Sequence, residues 1–314
     1  MRIYYASDVH GSERLWRKFL NAASFYQADV LIMGGDLTGK VMVPFVERTP
    51  GVWTARILGK FEEIRGEREL EDACKRVRLN GFYPLVCSQG DYESLTSDPQ
   101  KRDRIFRGLM REELSRWVRL ASDKLADSGV PCYVMPGNDD EWDIDAVLDA
   151  APAPIENCEG KLVEIDRVQM ISSAWTNPTP WDSPRELPED ELYDRLAKLV
   201  AEVDPDAPAI FNLHCPPHDS GIDRAPELTG DLRVVTEGGD PKMIPVGSRA
   251  VRRLIEEHQP LIALHGHIHE ARGIAHIGRT LCINPGSMYG EGVLDGALID
   301  IREGEVAAHQ LVSG

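Results

Sequence analysis

The sequence predicts an α/β fold in which two sheets pack face to face with helices on the outside. Short apolar segments alternate with amphipathic segments along much of the chain, which is typical of a largely parallel sheet covered by helices. After Pro260 short strands follow one another with only turns between them, which indicates added antiparallel strands. The length of 314 residues allows two domains of ~150 residues, or one larger domain with an insertion.

The first half of the chain supplies three of the core strands. Arg2–Ser7 and Asp29–Met33 are predicted strands, and Glu13–Phe25 between them has the periodicity of an amphipathic helix. Val130–Met135 is the third strand, and it is preceded by a long helix whose apolar side runs from Ile105 to Leu125.

More than ninety residues separate the second of these strands from the third, far more than an ordinary connection contains. Val41–Arg48 and Val52–Leu58 flank a turn-forming segment and predict a hairpin, and Arg65–Leu79 is expected to be helical. We interpret roughly 41–100 as an inserted α+β subdomain within a single domain spanning 1–314. Such an insertion could overhang a binding site as a lid.

The second half completes both sheets. Ala209–Leu213 and Pro260–Leu264 are apolar strands that flank a predicted helix, Ser248–His258, with Ser248 as the expected N-cap. Six further short strands are predicted: Lys161–Ile165, Val168–Ser173, Arg272–His276, Thr280–Ile283, Gly296–Ile301 and Val306–Leu311.

Composition narrows the class of partner. The net charge of −17, from 52 acids and 35 bases, disfavours nucleic acid, although bound cations could still attract a small anion. There is no apolar run of about 18 residues that would predict a membrane span. The N-terminus lacks the pattern of a signal peptide and the six cysteines are scattered, so we expect a cytoplasmic protein. The oligomeric state stays open.

Residues that can bind metals stand where the predicted strands end. In chain order they are Asp8, His10, Asp36, Asn138, His214, His267 and His269. The carboxyl ends of parallel strands form the usual ligand crevice of an open α/β sheet, so five separate segments should deliver these side chains to one edge. Seven oxygen and imidazole ligands suffice for two divalent cations if one carboxylate bridges them. A set without thiolate suits Mn, which we favour, or Fe, Zn or Ni.

In order and spacing these motifs resemble the calcineurin-like metallophosphoesterases, whose signature runs D-x-H, G-D, G-N-[H/D/E], H and G-H-x-H. The portion from 214 to 290 looks especially similar to the Icc-related predicted phosphoesterases. The resemblance implies a four-layer α/β/β/α sandwich. It also implies that Asp8, His10, Asp36 and His269 hold one metal. Asp36, Asn138, His214 and His267 would then hold the other, with Asp36 as the bridge.

A dinuclear-metal phosphoester hydrolase that acts on a small phosphorylated molecule is therefore expected. Two cations can share a hydroxide that attacks phosphorus directly, without a side-chain nucleophile. The alternatives are a phosphomonoesterase and a non-catalytic metal-binding scaffold of the same fold. Scaffold relatives tend to lose ligands, whereas all seven positions are filled here.

We expect Asn138, Asp139 and His218 to take part in catalysis, with Asn138 also a ligand. Many family members have histidine where this chain has Asp139. With an ordinary pKa of about 3.9, Asp139 would be ionised and would repel a dianionic monoester more than a diester, which favours phosphodiesterase activity. His218 could replace the missing proton donor. Alternatively, Asp139 has no part in the chemistry and His218 is an ordinary loop residue. His265 has no expected ligand role, and we expect it to support the site at the end of its strand.

Overall fold

The computed structural model describes all 314 residues and contains two large mixed sheets. In spatial order, the first sheet consists of Glu305–Ser313, Asp295–Arg302, Arg2–Ala6, Val30–Met33, Cys132–Val134 and Ile155–Asn157. The second consists of Gly273–Ile277, Thr280–Asn284, Ile262–Leu264, Ala209–Leu213, Val168–Ser173 and Leu162–Ile165. Each sheet contains a run of four parallel strands. Antiparallel strands extend this run at one edge of the first sheet and at both edges of the second.

The alternation of side chains along each strand explains why the sheets pack as they do. In the first sheet, Tyr5 and Ile32 point toward the second sheet and share a buried cluster with its Ile210. Their neighbours Tyr4 and Leu31 point the other way, into a cluster with helices. Because both faces of the parallel strands are buried, these strands are apolar throughout, as the sequence shows.

Helices cover the outer face of each sheet. Glu13–Phe25, Pro99–Leu125 and the short helix Asp145–Asp149 contribute to the apolar cluster on the first sheet. Glu189–Val200 and Arg249–His258 cover the second sheet, and Ser248 caps the latter helix as predicted by accepting the Val251 N–H at 3.2 Å. The predicted α/β sandwich of two mixed sheets is therefore confirmed.

The long connection after the second strand folds around a sheet of its own. Its strands, in spatial order, are Lys60–Arg65, Val52–Ile57, Val41–Thr49 and Phe82–Ser88. The helix Glu67–Leu79 packs on this sheet, and Phe45, Trp53 and Val77 form part of a separate apolar cluster. A second helix, Gln89–Ser97, leads into the long helix Pro99–Leu125.

Several elements were absent from the sequence prediction. Glu189–Val200 received no assignment, and neither did the charged edge strand Lys60–Arg65, of which only Ile64 is well buried. A hairpin between His214 and Arg249 pairs Arg224–Pro226 with Met243–Pro245, and Thr236–Glu237 with Asp240–Pro241. Single turns of 3₁₀-helix form at Trp142–Ile144 and Tyr289–Glu291. None of the helices carries an apolar stretch long enough to span a bilayer.

Candidate metal centre

The carboxyl ends of the parallel strands bring two groups of ligand atoms together. The first group is Asp8, His10, Asp36 and His269. The second is Asp36, His214 and His267. Within each group, one ligand atom from every residue lies within 4.8 Å of the others, and Asp36 belongs to both groups. The two sheets contribute to both groups, so the cluster lies where the ends of the sheets meet.

The orientation of Asp36 makes one of its oxygens available to both groups. Its Oδ1 accepts the backbone N–H of Asp139 at 3.0 Å. Its Oδ2 lies 3.4 Å from His214 Nε2 and 3.7 Å from His10 Nε2. Burial alone would raise the pKa of Asp36, but the nearby imidazoles, above all His214, hold that pKa well below its usual value. Asp36 is therefore a carboxylate at neutral pH.

The His214 ring is fixed through one nitrogen and leaves the other free. Its Nδ1 lies 2.7 Å from the carbonyl oxygen of Gly34 and donates to it, so in the neutral ring Nε2 carries the lone pair. That Nε2 is buried and has no hydrogen-bond partner. Burial would lower the pKa of His214, but Asp36 and Asp8 raise it to about 9, so a cation must displace a proton there at neutral pH. Burial and the neighbouring His214 lower the pKa of His267 to about 4, which keeps His267 neutral.

The first group is equally compact. His10 Nε2 and His269 Nε2 lie 3.1 Å apart, and His269 Nε2 lies 3.4 Å from Asp8 Oδ1. The backbone N–H of His267 donates to both oxygens of Asp8 at 3.1 Å, which fixes that carboxylate.

Asn138 lies beside these groups with its amide clearly oriented. Its Nδ2 donates to Ser183 Oγ at 2.6 Å, whereas its Oδ1 is buried without a partner. A buried amide oxygen that lacks a donor is costly unless something positive satisfies it. The unpartnered oxygen of Asn138 and the carboxylates of Asp8 and Asp36 therefore fit divalent cations.

The backbone of the ligand loops is strained and tightly packed. Four non-glycine residues of these loops have positive φ angles: Asp8 at 57°, His10 at 39°, Asp36 at 50° and His267 at 65°. Such angles are uncommon outside glycine and tend to cluster at functional sites. A Cβ on Gly137 would lie 2.1 Å from Asp36 Oδ1, and a Cβ on Gly266 would lie 2.4 Å from Asp8 Oδ2. Only glycine fits at these two positions.

Asp139 and His218 are placed differently from the ligand residues. Asp139 is partly exposed, and its Oδ1 lies 2.9 Å from Lys40 Nζ. Burial and Asp36 raise the pKa of Asp139, while Lys40 opposes that rise.

No hydrogen bond or ion pair joins the His218 ring to a ligand residue. The backbone N–H of His218 donates to the Ser248 carbonyl oxygen, and the His218 carbonyl oxygen accepts from Arg252. His265 Nδ1 lies 2.8 Å from the carbonyl oxygen of Leu213, as expected of a residue that supports the strand end.

Two further residues contact the site and were missed in the sequence. Fully buried Asp140 accepts the backbone N–H groups of Leu37 and Thr38 at 2.9 Å and of Gly137 at 2.8 Å, and so joins the loops that carry Asp36 and Asn138. The Tyr289 ring centre lies 4.6 Å from that of His10. In the sequence, Asp140 is only the second aspartate of the run GNDD, and Tyr289 only follows a turn after the strand Thr280–Asn284. Both patterns are too common in proteins to identify a functional residue.

Comparison with known proteins identifies the family of this chain. A family model described as calcineurin-like phosphoesterase matches residues 1–271. An uncharacterized protein from Methanocaldococcus jannaschii is 31% identical over 154 residues, which cover 48% of this chain and 62% of that protein. The match therefore spans less than two thirds of that relative.

Solved structures show the same fold at low identity. The crystal structure of TT1561 from Thermus thermophilus is 15% identical with a TM-score of 0.53, and the match covers 100% of this chain and 97% of that one. Another crystal structure is 18% identical with a TM-score of 0.57, and covers 100% and 98% of the two chains. The family match over most of the chain confirms the resemblance read from the motifs. The chain therefore belongs to the calcineurin-like phosphoesterase family.

Proposed function

We propose that this protein is a phosphoester hydrolase that uses two divalent cations and prefers phosphodiesters. The observation that carries the proposal is the sharing of Asp36 between two ligand groups, with its Oδ2 facing an imidazole of each. One cation would be held by Asp8, His10, Asp36 and His269. The other would be held by Asp36, Asn138, His214 and His267.

When bound, a pair of cations at such a site supplies Lewis acidity and an activated water for attack on phosphorus. The side chains of this chain prepare the site for that chemistry. Asp36 and Asp8 are held as carboxylates, since the pKa values of both lie below the usual range. Cys215, the thiol beside His214, is unsuited to act as a nucleophile because burial raises its pKa far above the usual value and its Sγ donates to Asn177 Oδ1.

The preference for diesters rests on Asp139. Its backbone N–H is bonded to Asp36, so its side chain stands at the edge of the ligand cluster, where an ionised carboxylate repels a dianion more than a monoanion. The ion pair with Lys40 reduces this repulsion, and this observation keeps phosphomonoesters as the second candidate substrate class. We propose small phosphorylated molecules, rather than nucleic acid, as substrates because of the net charge of −17.

The test is hydrolysis of an aryl phosphodiester and of the matching aryl monoester by protein stripped of metal and reloaded with manganese. We expect manganese-dependent cleavage with a higher kcat/KM for the diester. Asp36→Asn should lower kcat/KM by more than about 100-fold, since it removes the shared ligand. Gly108→Ala, in a helix with open space around Gly108, is the control and should behave as wild type.

Each contrary outcome points to a different alternative. Faster cleavage of the monoester would assign the protein to the phosphomonoesterases. Two tightly bound manganese ions without hydrolysis of either ester would favour a metal-binding scaffold. Manganese is our proposed metal, and iron, zinc and nickel loading would show whether another ion supports a higher rate. A cytoplasmic location is also proposed, in keeping with the six cysteines, none of which forms a disulfide.

A further inference from the structure

A chain of hydrogen bonds leads from Asn138 away from the ligand cluster into the loop Thr179–Glu186. Asn138 Nδ2 lies 2.6 Å from Ser183 Oγ, and Ser183 Oγ lies 2.5 Å from Glu186 Oε1. Glu186 also accepts the backbone N–H of Ser183 at 3.0 Å and that of Thr179 at 2.8 Å. The loop is therefore closed on its own carboxylate. It is attached to the site through the Ser183 hydroxyl and through Arg185, whose backbone N–H donates to the Asn138 carbonyl oxygen at 3.3 Å and whose guanidinium donates to the Asp140 carbonyl oxygen.

The direction of these hydrogen bonds follows from the chemistry of the groups. An ionised carboxylate can only accept, so the one hydrogen of the Ser183 hydroxyl goes to Glu186. The hydroxyl oxygen then has only lone pairs to offer to Asn138, and these match the N–H₂ end of the amide and not its oxygen. Glu186 meets the requirement because its pKa is lowered: burial would raise it, but hydrogen bonds from Ser183 and Thr179 outweigh burial.

This polarity decides which end of the amide is left without a protein partner. With Nδ2 on Ser183, the buried Oδ1 is the end left without a protein partner. An amide turned through half a rotation would present two hydrogens, which repel a cation. It would also set its oxygen against a hydroxyl oxygen that has no hydrogen to give.

We infer that Ser183 and Glu186 are positioning residues that hold the Asn138 oxygen toward the second cation. The inference rests on the proposed function, because it takes Asn138 as a ligand of the cation that His214 and His267 also bind. It adds a specific role for the loop Thr179–Glu186. The carboxylate of Glu186 fixes the hydroxyl, the hydroxyl fixes the amide, and the amide completes only one of the two ligand sets.

The test measures the two manganese affinities separately, by calorimetric titration and by the electron paramagnetic resonance signal of an exchange-coupled manganese pair. Ser183→Ala should change the affinity for the cation held by Asp8, His10 and His269 by less than about twofold. It should weaken binding of the cation held by Asn138, His214 and His267 by about 10- to 100-fold, so that the coupled signal appears only at a much higher manganese concentration. Ser183→Thr retains the hydroxyl and should restore the coupled signal. Glu186→Gln should resemble Ser183→Ala, since an amide no longer fixes the direction of the hydroxyl hydrogen.

A matched control is available in the insertion. Ser88 donates to Asp91 Oδ2 at 2.7 Å, a serine–acid pair with the same three-residue spacing and no link to the ligands. Ser88→Ala should leave both affinities unchanged.

The outcomes separate this inference from the proposed function. A wild-type protein that never shows a coupled manganese pair would overturn the proposed dinuclear site itself. If the wild type shows the coupled pair, and Ser183→Ala and Glu186→Gln bind both ions as tightly as the wild type does, only the positioning role is overturned. If the variants bind both ions more weakly by the same factor, the positioning role is also overturned, because that pattern reports general loosening of the fold.

Discussion

Asp139 and Asp140 are adjacent, yet their surroundings differ completely. Asp139 is partly exposed and paired with Lys40. Asp140 is fully buried and accepts three backbone N–H groups together with the Thr38 hydroxyl. Their order along the chain gives no indication of this difference, because the groups bonded to the Asp140 side chain include Thr38, 102 residues away.

Replacing Asp140 should therefore cost stability as well as function. In Asp140→Asn, the amide nitrogen would face donors, so we expect the free energy of unfolding to fall by about 3 kcal/mol, the order expected for buried donors left unsatisfied. Urea denaturation of the metal-free protein measures this loss. Asp139→Asn is the matched variant, and its unfolding should stay within about 0.5 kcal/mol of wild type. Similar losses in the two variants would contradict the distinction.

Glu159 gives the metal-free fold a dependence on pH. Burial raises its pKa from 4.5 to about 7, and its Oε1 has no partner, while Oε2 accepts the Ala174 N–H at 2.6 Å. Between pH 4.5 and about 7, Glu159 is protonated in the folded state but ionised in the unfolded chain. Because the folded state binds the extra proton, the free energy of unfolding falls as pH rises through this window. Above it, Glu159→Gln should be more stable than wild type by up to about 3 kcal/mol, and near pH 4 the two should agree. Thermal unfolding at several pH values checks this; a constant difference would contradict it.

At the level of elements, the insertion is attached to the ligand loops by direct backbone contact. A Cβ on Gly39 would lie 2.1 Å from the carbonyl oxygen of Gly81, and a Cβ on Gly81 would lie 2.6 Å from that of His10. In addition, the N–H of Gly39 donates to the Tyr83 hydroxyl at 2.8 Å. These contacts lead us to propose that the insertion is a fixed wall of the site and not a lid that swings.

A side chain at Gly39 should therefore disturb metal binding through the insertion. We expect Gly39→Ala to weaken manganese binding by at least about 10-fold, as calorimetric titration would measure, because the clash separates the insertion from the loop that follows Asp36. Gly108→Ala again serves as the control, and it should stabilise its helix by about 1 kcal/mol. Unchanged binding in Gly39→Ala would show that the insertion can move without affecting the ligands.

The insertion also shows where reading a sequence reaches its limit. Its hairpin was predicted because Val41–Thr49 and Val52–Ile57 are apolar and flank a turn. Lys60–Arg65 was missed because an edge strand with one buried side chain lacks alternation. The predicted helix also began two residues early, since Gly66, with φ of 80°, lies between the strand and the helix.

Across the whole molecule, the two sheets were predictable, whereas their strand order was not. Strands such as Ala209–Leu213 are buried on both faces, so apolar runs identify them directly. The order within each sheet depends on contacts between distant segments, as where Asp295–Arg302 pairs with Arg2–Ala6. The convergence of the candidate ligands could nevertheless be predicted, because any order of parallel strands places their carboxyl ends along one edge.

Cations should stabilise the molecule as a whole, since only the folded chain assembles the ligand groups. At a manganese concentration of about 100 times Kd, each site should add about 2.7 kcal/mol to the free energy of unfolding. We therefore expect the Tm to rise with manganese and to fall again with a chelator. In Asp36→Asn, the Tm should respond far less. If manganese left the Tm of the wild type unchanged, that result would argue against tight binding.

The facing rings of His10 and His269 come from opposite parts of the polypeptide, 259 residues apart. A ribosome must therefore have translated as far as His269 before the first ligand group can assemble, and a nascent chain that stops short of that residue cannot form the group. Such an arrangement ties assembly of the centre to the synthesis of its last ligand, whatever the order in which the earlier segments fold.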